Sequence, residues 1–263
     1  MSKVTSKDGT KIAFEASGQG SALILVGGAF QHRLIDPHTA QLASILEKNL
    51  TVIHYDRRGR GDSTDTQPYS VEREIEDIEA LIDQAGGSAF VFGMSSGAAL
   101  AMEAAIALPN KIRKLAMYEP PYNSEEAAGQ AWKEYRRKLN ELLAEGCRGD
   151  AVALFMKYVG MPAEQIPAMR QQPMWPMLEA VAPTLAYDAA VLGEDASVPN
   201  ERAAKVSVPA LIMDGGASYP FMHITAVALA NAIPVAEHRT LEGQTHEVDP
   251  QVLATVLEQF FAS

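Results

Sequence analysis

Residues 93 to 97 read Gly-Met-Ser-Ser-Gly, between the apolar run "AFVF" and the small-residue run "AALAMEAAIAL". A strand, a sharp turn and a helix in that order would lift Ser95 out of the chain as an exposed hydroxyl, with Gly93 and Gly97 leaving room around it. The bare Gly-x-Ser-x-Gly pattern arises by chance in roughly one chain in ten of this length, so its flanking elements carry the weight. A serine hydroxyl is a weak nucleophile and needs a base beside it. Six histidines are present: His32, His38, His54, His223, His238 and His246. Only His246, in "GQTH", falls after the last strand-like run and before the final helix, where the chain order serine, acid, histidine places the base. The amides of Ser96 and Ala29 would face a developing oxyanion, Ala29 because Gly27 and Gly28 let the backbone approach a substrate there. Gly28 would lie against that substrate.

These groups need a scaffold that gathers strand ends. Short continuous apolar runs, "ALILVGG", "TVIHYD", "AFVFGM", "KLAMYE" and "ALIMDGG", suit strands buried on both faces. Segments of helical period lie between them, as in "VEREIEDIEALIDQAG", where Val71, Ile75, Ile78 and Ile82 form one stripe with carboxylates opposite. The alternation predicts an α/β fold with a mostly parallel, doubly wound sheet. An antiparallel hairpin turning at Asp8 and Gly9 opens it, and a helix capped by Asp249 and Pro250 closes it. The alternation stops over residues 121–200, which are helical in pattern and rich in Met, Pro and aromatic residues. We read residues 1–120 and 201–263 as the core and 121–200 as an inserted helical lid.

The chain has 263 residues, 47% of them hydrophobic, with a formal net charge of −11. That charge opposes binding to nucleic acid or an anionic membrane, since neither offers a cationic partner. Cys147 is the one cysteine, which leaves no disulfide framework and no cysteine-based zinc site. No run approaches the ~20 apolar residues of a membrane span. The expectation is a cytoplasmic protein that works on a small molecule without cofactor or metal; a homodimer is compatible with the sequence.

Taken in order, "LVGGAF", "YDRRGRGDS", "GMSSG", "PALIMDGG" and "GQTH" resemble the α/β-hydrolase superfamily over nearly the whole chain. The resemblance implies that fold and makes Asp56, Arg58 and Ser63 structural parts of a turn. It also exposes a departure. Relatives carry Gly-x-x-Asp after the strand "ALIMD", whereas the residue three after Gly215 is Ser218, which has no charge to orient a histidine. Asp214 and Glu119 are the two carboxylates at strand ends, and a serine–histidine dyad is the third arrangement. Glu119 is favoured because its strand adjoins that of Ser95, and because haloalkane dehalogenases and zearalenone-type lactonases carry their acid there. The local "YEPP" and "SSGA" look most like the lactonase group.

Ser95, His246 and Glu119 would together perform acyl transfer on a small or medium apolar ester or lactone. Met174, Trp175 and Tyr187, within a Met- and aromatic-rich stretch of the lid, are the expected pocket walls. A carbon–carbon bond hydrolase or lyase on the same triad is the runner-up. A non-catalytic small-molecule receptor on the same scaffold is the alternative outside catalysis.

Overall fold

The computed structural model describes residues 1–262. Among them, eight strands form one sheet: β1 (Ser2–Thr5), β2 (Lys11–Ser17), β3 (Ser21–Val26), β4 (Leu50–Tyr55), β5 (Ala89–Met94), β6 (Ile112–Tyr118), β7 (Ala210–Gly215) and β8 (Ala236–Leu241). Their order is β1-β2-β4-β3-β5-β6-β7-β8. β2 pairs antiparallel with both β1 and β4, and the remaining pairs are parallel. The opening hairpin turns at Asp8 and Gly9, with Gly9 at φ 90°.

The continuous apolar runs are buried on both faces because alternate residues supply two separate cores. Ile24, Val26, Val91, Leu115, Met117 and Ile212 face one. Leu23, Leu25, Phe90, Phe92, Leu211 and Met213 face the other. Helices α1 (Pro37–Leu46), α2 (Val71–Gln84) and α3 (Ser96–Ala107) follow β3, β4 and β5. Between β6 and β7 the chain runs through α4 (Glu126–Ala144), α5 (Arg148–Tyr158), α6 (Ile166–Met169), α7 (Trp175–Val181), α8 (Leu185–Leu192) and α9 (Asn200–Ala203). Then α10 (Pro220–Ala232) and α11 (Pro250–Ala262) complete the two layers. Leu42 and Leu46 of α1 meet Leu253 and Leu257 of α11 in the second core. Asp249 Oδ1 accepts from Gln251 N at 2.7 Å, as a cap of α11 should.

Not every carboxylate of α2 is solvated, for Glu74 and Asp77 are buried. Both are paired, Glu74 with Arg57 and Asp77 with Arg58. A charged face of a helix reads as a solvent face only while no cation lies beneath it.

The glycines around Ser95 act through space rather than through φ. A Cβ on Gly97 would overlap the carbonyls of Val26 and Gly27, and one on Gly93 would overlap Gly97 O and Ala98 Cα. The N-terminus of α3 can therefore press against β3 only if both positions lack a side chain. Gly97→Ala is expected to destabilise the protein by about 3 kcal/mol, the upper range for overpacking. At this chain length that is a fall of roughly 6–12 °C in thermal midpoint. Gly129→Ala, in α4 with no atom nearer than 3.7 Å to the added Cβ, should be neutral or raise the midpoint. Calorimetry of the two variants checks both signs.

Candidate active site

Ser95 sits between β5 and α3 at φ 55° and ψ −129°, a region that a residue with a side chain enters only when its neighbours force it. Two backbone bonds do so here: Ser95 N–H donates to Tyr118 O at 2.9 Å, and Ser95 O accepts from Ala98 N at 2.9 Å. The adjacent serines are separated by their surroundings. Ser96 Oγ is buried and donates to Asp188 Oδ1 at 2.9 Å. Ser95 Oγ makes no hydrogen bond among the described residues, and Ser95 lines a cavity of about 910 Å³.

Glu119 follows β6 directly and also has a positive φ, 45°. Its carboxylate is fully buried and fully engaged. Oε2 lies 2.6 Å from His246 Nδ1 and accepts from Ser218 Oγ at 2.9 Å, while Oε1 accepts from Gly215 N at 2.8 Å. Facing an acceptor-only carboxylate, Nδ1 carries the imidazole proton, which leaves Nε2 as the basic nitrogen. His246 lines the same cavity as Ser95. Ser218, where an aspartate was expected from the resemblance, has become a donor to the carboxylate that reaches in from β6. Asp214 is turned elsewhere: His238 Nε2 lies 2.5 Å from Oδ1 and His223 Nδ1 3.0 Å from Oδ2. His32 and His54 do not line this cavity, and burial lowers the pKa of both.

The loop after β3 is held from behind. Arg57 Nη1 donates to Gly27 O at 3.2 Å, and Arg60 Nη1 donates to Gly28 O. Because a peptide is planar and trans, pinning the Gly28 carbonyl towards Arg60 turns the Ala29 N–H the opposite way. Ala29 lines the cavity, and its N–H has no backbone acceptor among the described residues. The Ser96 N–H belongs to the first turn of α3, where no intrahelical acceptor exists. Gly28 packs so near that an added Cβ would lie 3.0 Å from Ser95 Cβ.

Both arginines are buried, and Asp188 of α8 joins them: Oδ1 accepts from Arg57 and Oδ2 from Arg60, at 2.7 and 2.8 Å. Arg57 also grips Glu74 through two bonds of 2.7 Å. Two positive and two negative groups thus balance. Burial alone would raise the pKa of Asp188, but the charges of Arg60 and Arg57 and the Ser96 hydroxyl outweigh it and lower it.

The walls of the cavity differ from those expected. Trp132 and Tyr135 of α4, Phe155 and Tyr158 of α5, and Tyr219 and Phe221 near the start of α10 line it. Trp175 does not: it packs with Val152, Met156, Leu178 and Ala182, and its Nε1 donates to Glu179 Oε1 at 2.9 Å. α5 stands between, turning Phe155 and Tyr158 to the cavity and Val152 and Met156 to α7. Met174 borders a separate cavity of about 350 Å³ with Phe30, His38 and Leu178. Tyr187 stacks on Tyr69 at 3.8 Å and donates to Asp65. On α8 the cavity stripe is Leu185, Asp188, Ala189 and Leu192, at helical spacing, and Tyr187 falls outside it. The aromatic pairs three residues apart, 132 with 135 and 155 with 158, were the available sequence signal for the true wall.

The family model described as the alpha/beta hydrolase family matches residues 23–255. An alpha/beta hydrolase from Sphaerobacter thermophilus DSM 20745 is similar in structure, with a TM-score of 0.89 and 52% identity over 99% of this chain and 100% of that one. A thermophilic esterase from Thermogutta terrifontis has a TM-score of 0.76 at 20% identity, covering 99% of this chain and 97% of that one. The enol-lactonase from Burkholderia xenovorans LB400 has a TM-score of 0.74 at 20% identity, with 100% of both chains covered. The uncharacterized hydrolase YraK of Bacillus subtilis (strain 168) is 30% identical over 122 residues, 43% of this chain and 42% of that one. The match to YraK therefore spans less than half of that protein's length.

Asp188→Asn leaves two buried guanidiniums facing a neutral amide and should cost about 3–5 kcal/mol. Ser96→Ala removes one neutral donor and keeps both charge pairs, so about 1 kcal/mol is expected. Denaturant midpoints compared at constant slope measure the difference. Equal losses would show that the charges around Asp188 are not what holds α8 to the sheet.

Proposed function

Since this chain belongs to the α/β-hydrolase family, we propose that it hydrolyses a small or medium, uncharged apolar carboxylic ester or lactone through an acyl-enzyme on Ser95. The observation that carries this reading is the Glu119–His246 pair opening, together with an uncommitted Ser95 hydroxyl, on one largely apolar cavity. Ser95 Oγ attacks the carbonyl carbon while His246 Nε2 takes the hydroxyl proton. The oxygen that gains the charge receives the N–H groups of Ala29 and Ser96. The tetrahedral adduct collapses, and His246 returns the proton to the departing alkoxide. Water, deprotonated by His246, then splits the acyl-enzyme into acid and free Ser95. In a lactone the alkoxide stays tethered and one hydroxy acid results. Glu119 orients the imidazole and stabilises it while it is protonated. Arg60 and Arg57 act from behind, as positioning residues for the loop that carries Ala29.

The substrate class follows from the walls. About 910 Å³ suits a ligand of modest size, and the aromatic rings of α4 and α5 offer flat apolar contact. No lysine or arginine is among the lining residues, whereas Asp195 and Glu247 are, besides Asp188, whose charge Arg57 and Arg60 balance. A substrate bearing its own carboxylate would meet repulsion without a partner. The serine nucleophile argues against chemistry that needs a carboxylate there. The esterase and lactonase of the same fold fit the reaction class and do not fix the substrate.

A fluorophosphonate probe should label Ser95 alone, read by peptide mass mapping. Label on Ser96, or none on active protein, would overturn the assignment. Neutral aryl esters and lactones should turn over faster than the same compounds carrying a carboxylate, and a diketone panel tests the carbon–carbon alternative. Glu119→Gln should reduce turnover by about 10⁴-fold, the scale seen when a triad carboxylate becomes an amide. Ser218→Ala, which removes one hydroxyl donor to that carboxylate, should cost about 10-fold. Near-normal turnover by folded Glu119→Gln would sink the proposed triad.

A further inference from the structure

Three side chains outside the cavity converge on one point. Asp214 is the penultimate residue of β7, His223 lies in the first turn of α10, and His238 sits in β8. His238 Nε2 is 2.5 Å from Asp214 Oδ1, and His223 Nδ1 is 3.0 Å from Asp214 Oδ2. One ligand atom from each residue can be chosen so that all three lie within 4.8 Å of one another. Ligands held tetrahedrally at the usual zinc distances of about 2.0–2.2 Å stand roughly 3.3–3.6 Å apart, so one ion fits once the side chains shift by about an ångström, opening the short contacts and closing the long one. Thr240 Oγ1, 3.2 Å from Asp214 Oδ1 and 3.4 Å from His223 Nδ1, adds a polar neighbour.

We propose that Asp214, His223 and His238 bind one divalent cation of the zinc class, at a site distinct from the catalytic cavity. Two imidazoles with one carboxylate favour zinc, cobalt, nickel or copper over magnesium and calcium, which prefer oxygen throughout. The burial gradient gives the site a floor and a mouth. The Asp214 side chain is 1% exposed, His238 24% and His223 54%, so an ion enters from solvent and water completes its shell. The cation joins the edge strand β8 and α10 to the end of β7, one residue before Gly215, whose N–H serves Glu119. None of the three residues lines the cavity of Ser95. The donors stand 9 and 24 residues from Asp214, a spacing with no recognisable metal motif.

The test uses the full chain without a polyhistidine tag, stripped with EDTA. Calorimetric titration with zinc chloride should show one saturable equivalent, cobalt(II) should give visible d–d bands, and zinc should raise the thermal midpoint. His223→Gln should weaken zinc at least about 10-fold, and adding His238→Gln should remove stoichiometric binding and the cobalt bands. His38→Gln should change neither. Far-UV circular dichroism in EDTA checks folding; if the double variant unfolds, the exposed single position, His223→Gln, decides. Absence of stoichiometric zinc binding by the parent protein, or wild-type affinity in folded His223→Gln, would overturn the proposal. The cluster would then be two imidazoles hydrogen-bonded to a buried carboxylate.

Discussion

One carboxylate, Asp188, holds the parts of the site in register. It meets Arg57, Arg60 and Ser96 at 2.7 to 2.9 Å. These serve two different parts of the site: the arginines lie in the turn after β4 and brace the loop after β3, while Ser96 begins α3. Asp188 itself comes from the helical insertion. A buried ion set of this kind is not a general source of stability, because desolvation consumes most of the attraction. It does punish every arrangement that leaves a charge alone. The insertion, the elbow and the loop of Ala29 are therefore positioned together or not at all.

Two of the four non-glycine residues with positive φ among the described residues stand at the strand ends that the proposed chemistry uses. Ser95 and Glu119, after adjacent parallel strands, both have positive φ. Each is tied to the next strand, Ser95 N to Tyr118 O and Glu119 N to Met213 O at 3.0 Å or less. The sheet thus absorbs the strain and sends both side chains beyond its edge. A buried carboxylate at the end of β6 also accounts for Ser218 and Gly215: it needs donors where it lies, and these two supply a hydroxyl and an amide.

The insertion is built in depth. α4, α5 and α8 present the inner surface, and α7 packs behind α5 with Trp175 in its own small core. The cavity wall is thus formed by the helices that reach it, while α7 packs against the far side of α5. The same cavity joins apolar walls to acidic neighbours, on which the proposal of an uncharged substrate rests.

The amino-acid sequence by itself determined the elements whose signals are local. Continuous apolar runs specify strands covered on both sides, the glycines around Ser95 specify the elbow, and the placing of His246 before a capped final helix requires only chain order. Glu119 was legible as one of two candidate acids, since both end strands; geometry separated them, by setting Glu119 against His246 and Asp214 against His223 and His238. Tertiary structure alone decided the rest. Glu74 and Asp77 look like a solvated face until Arg57 and Arg58 lie beneath them. Asp188 lies 131 residues from Arg57 and 92 from Ser96, so no local pattern marks it. Trp175 and Trp132 are alike as residues, and only the layering of α7 behind α5 makes one a core side chain and the other a wall. Such assignments depend on which surfaces meet, and that is settled by packing over distances that sequence periodicity does not span.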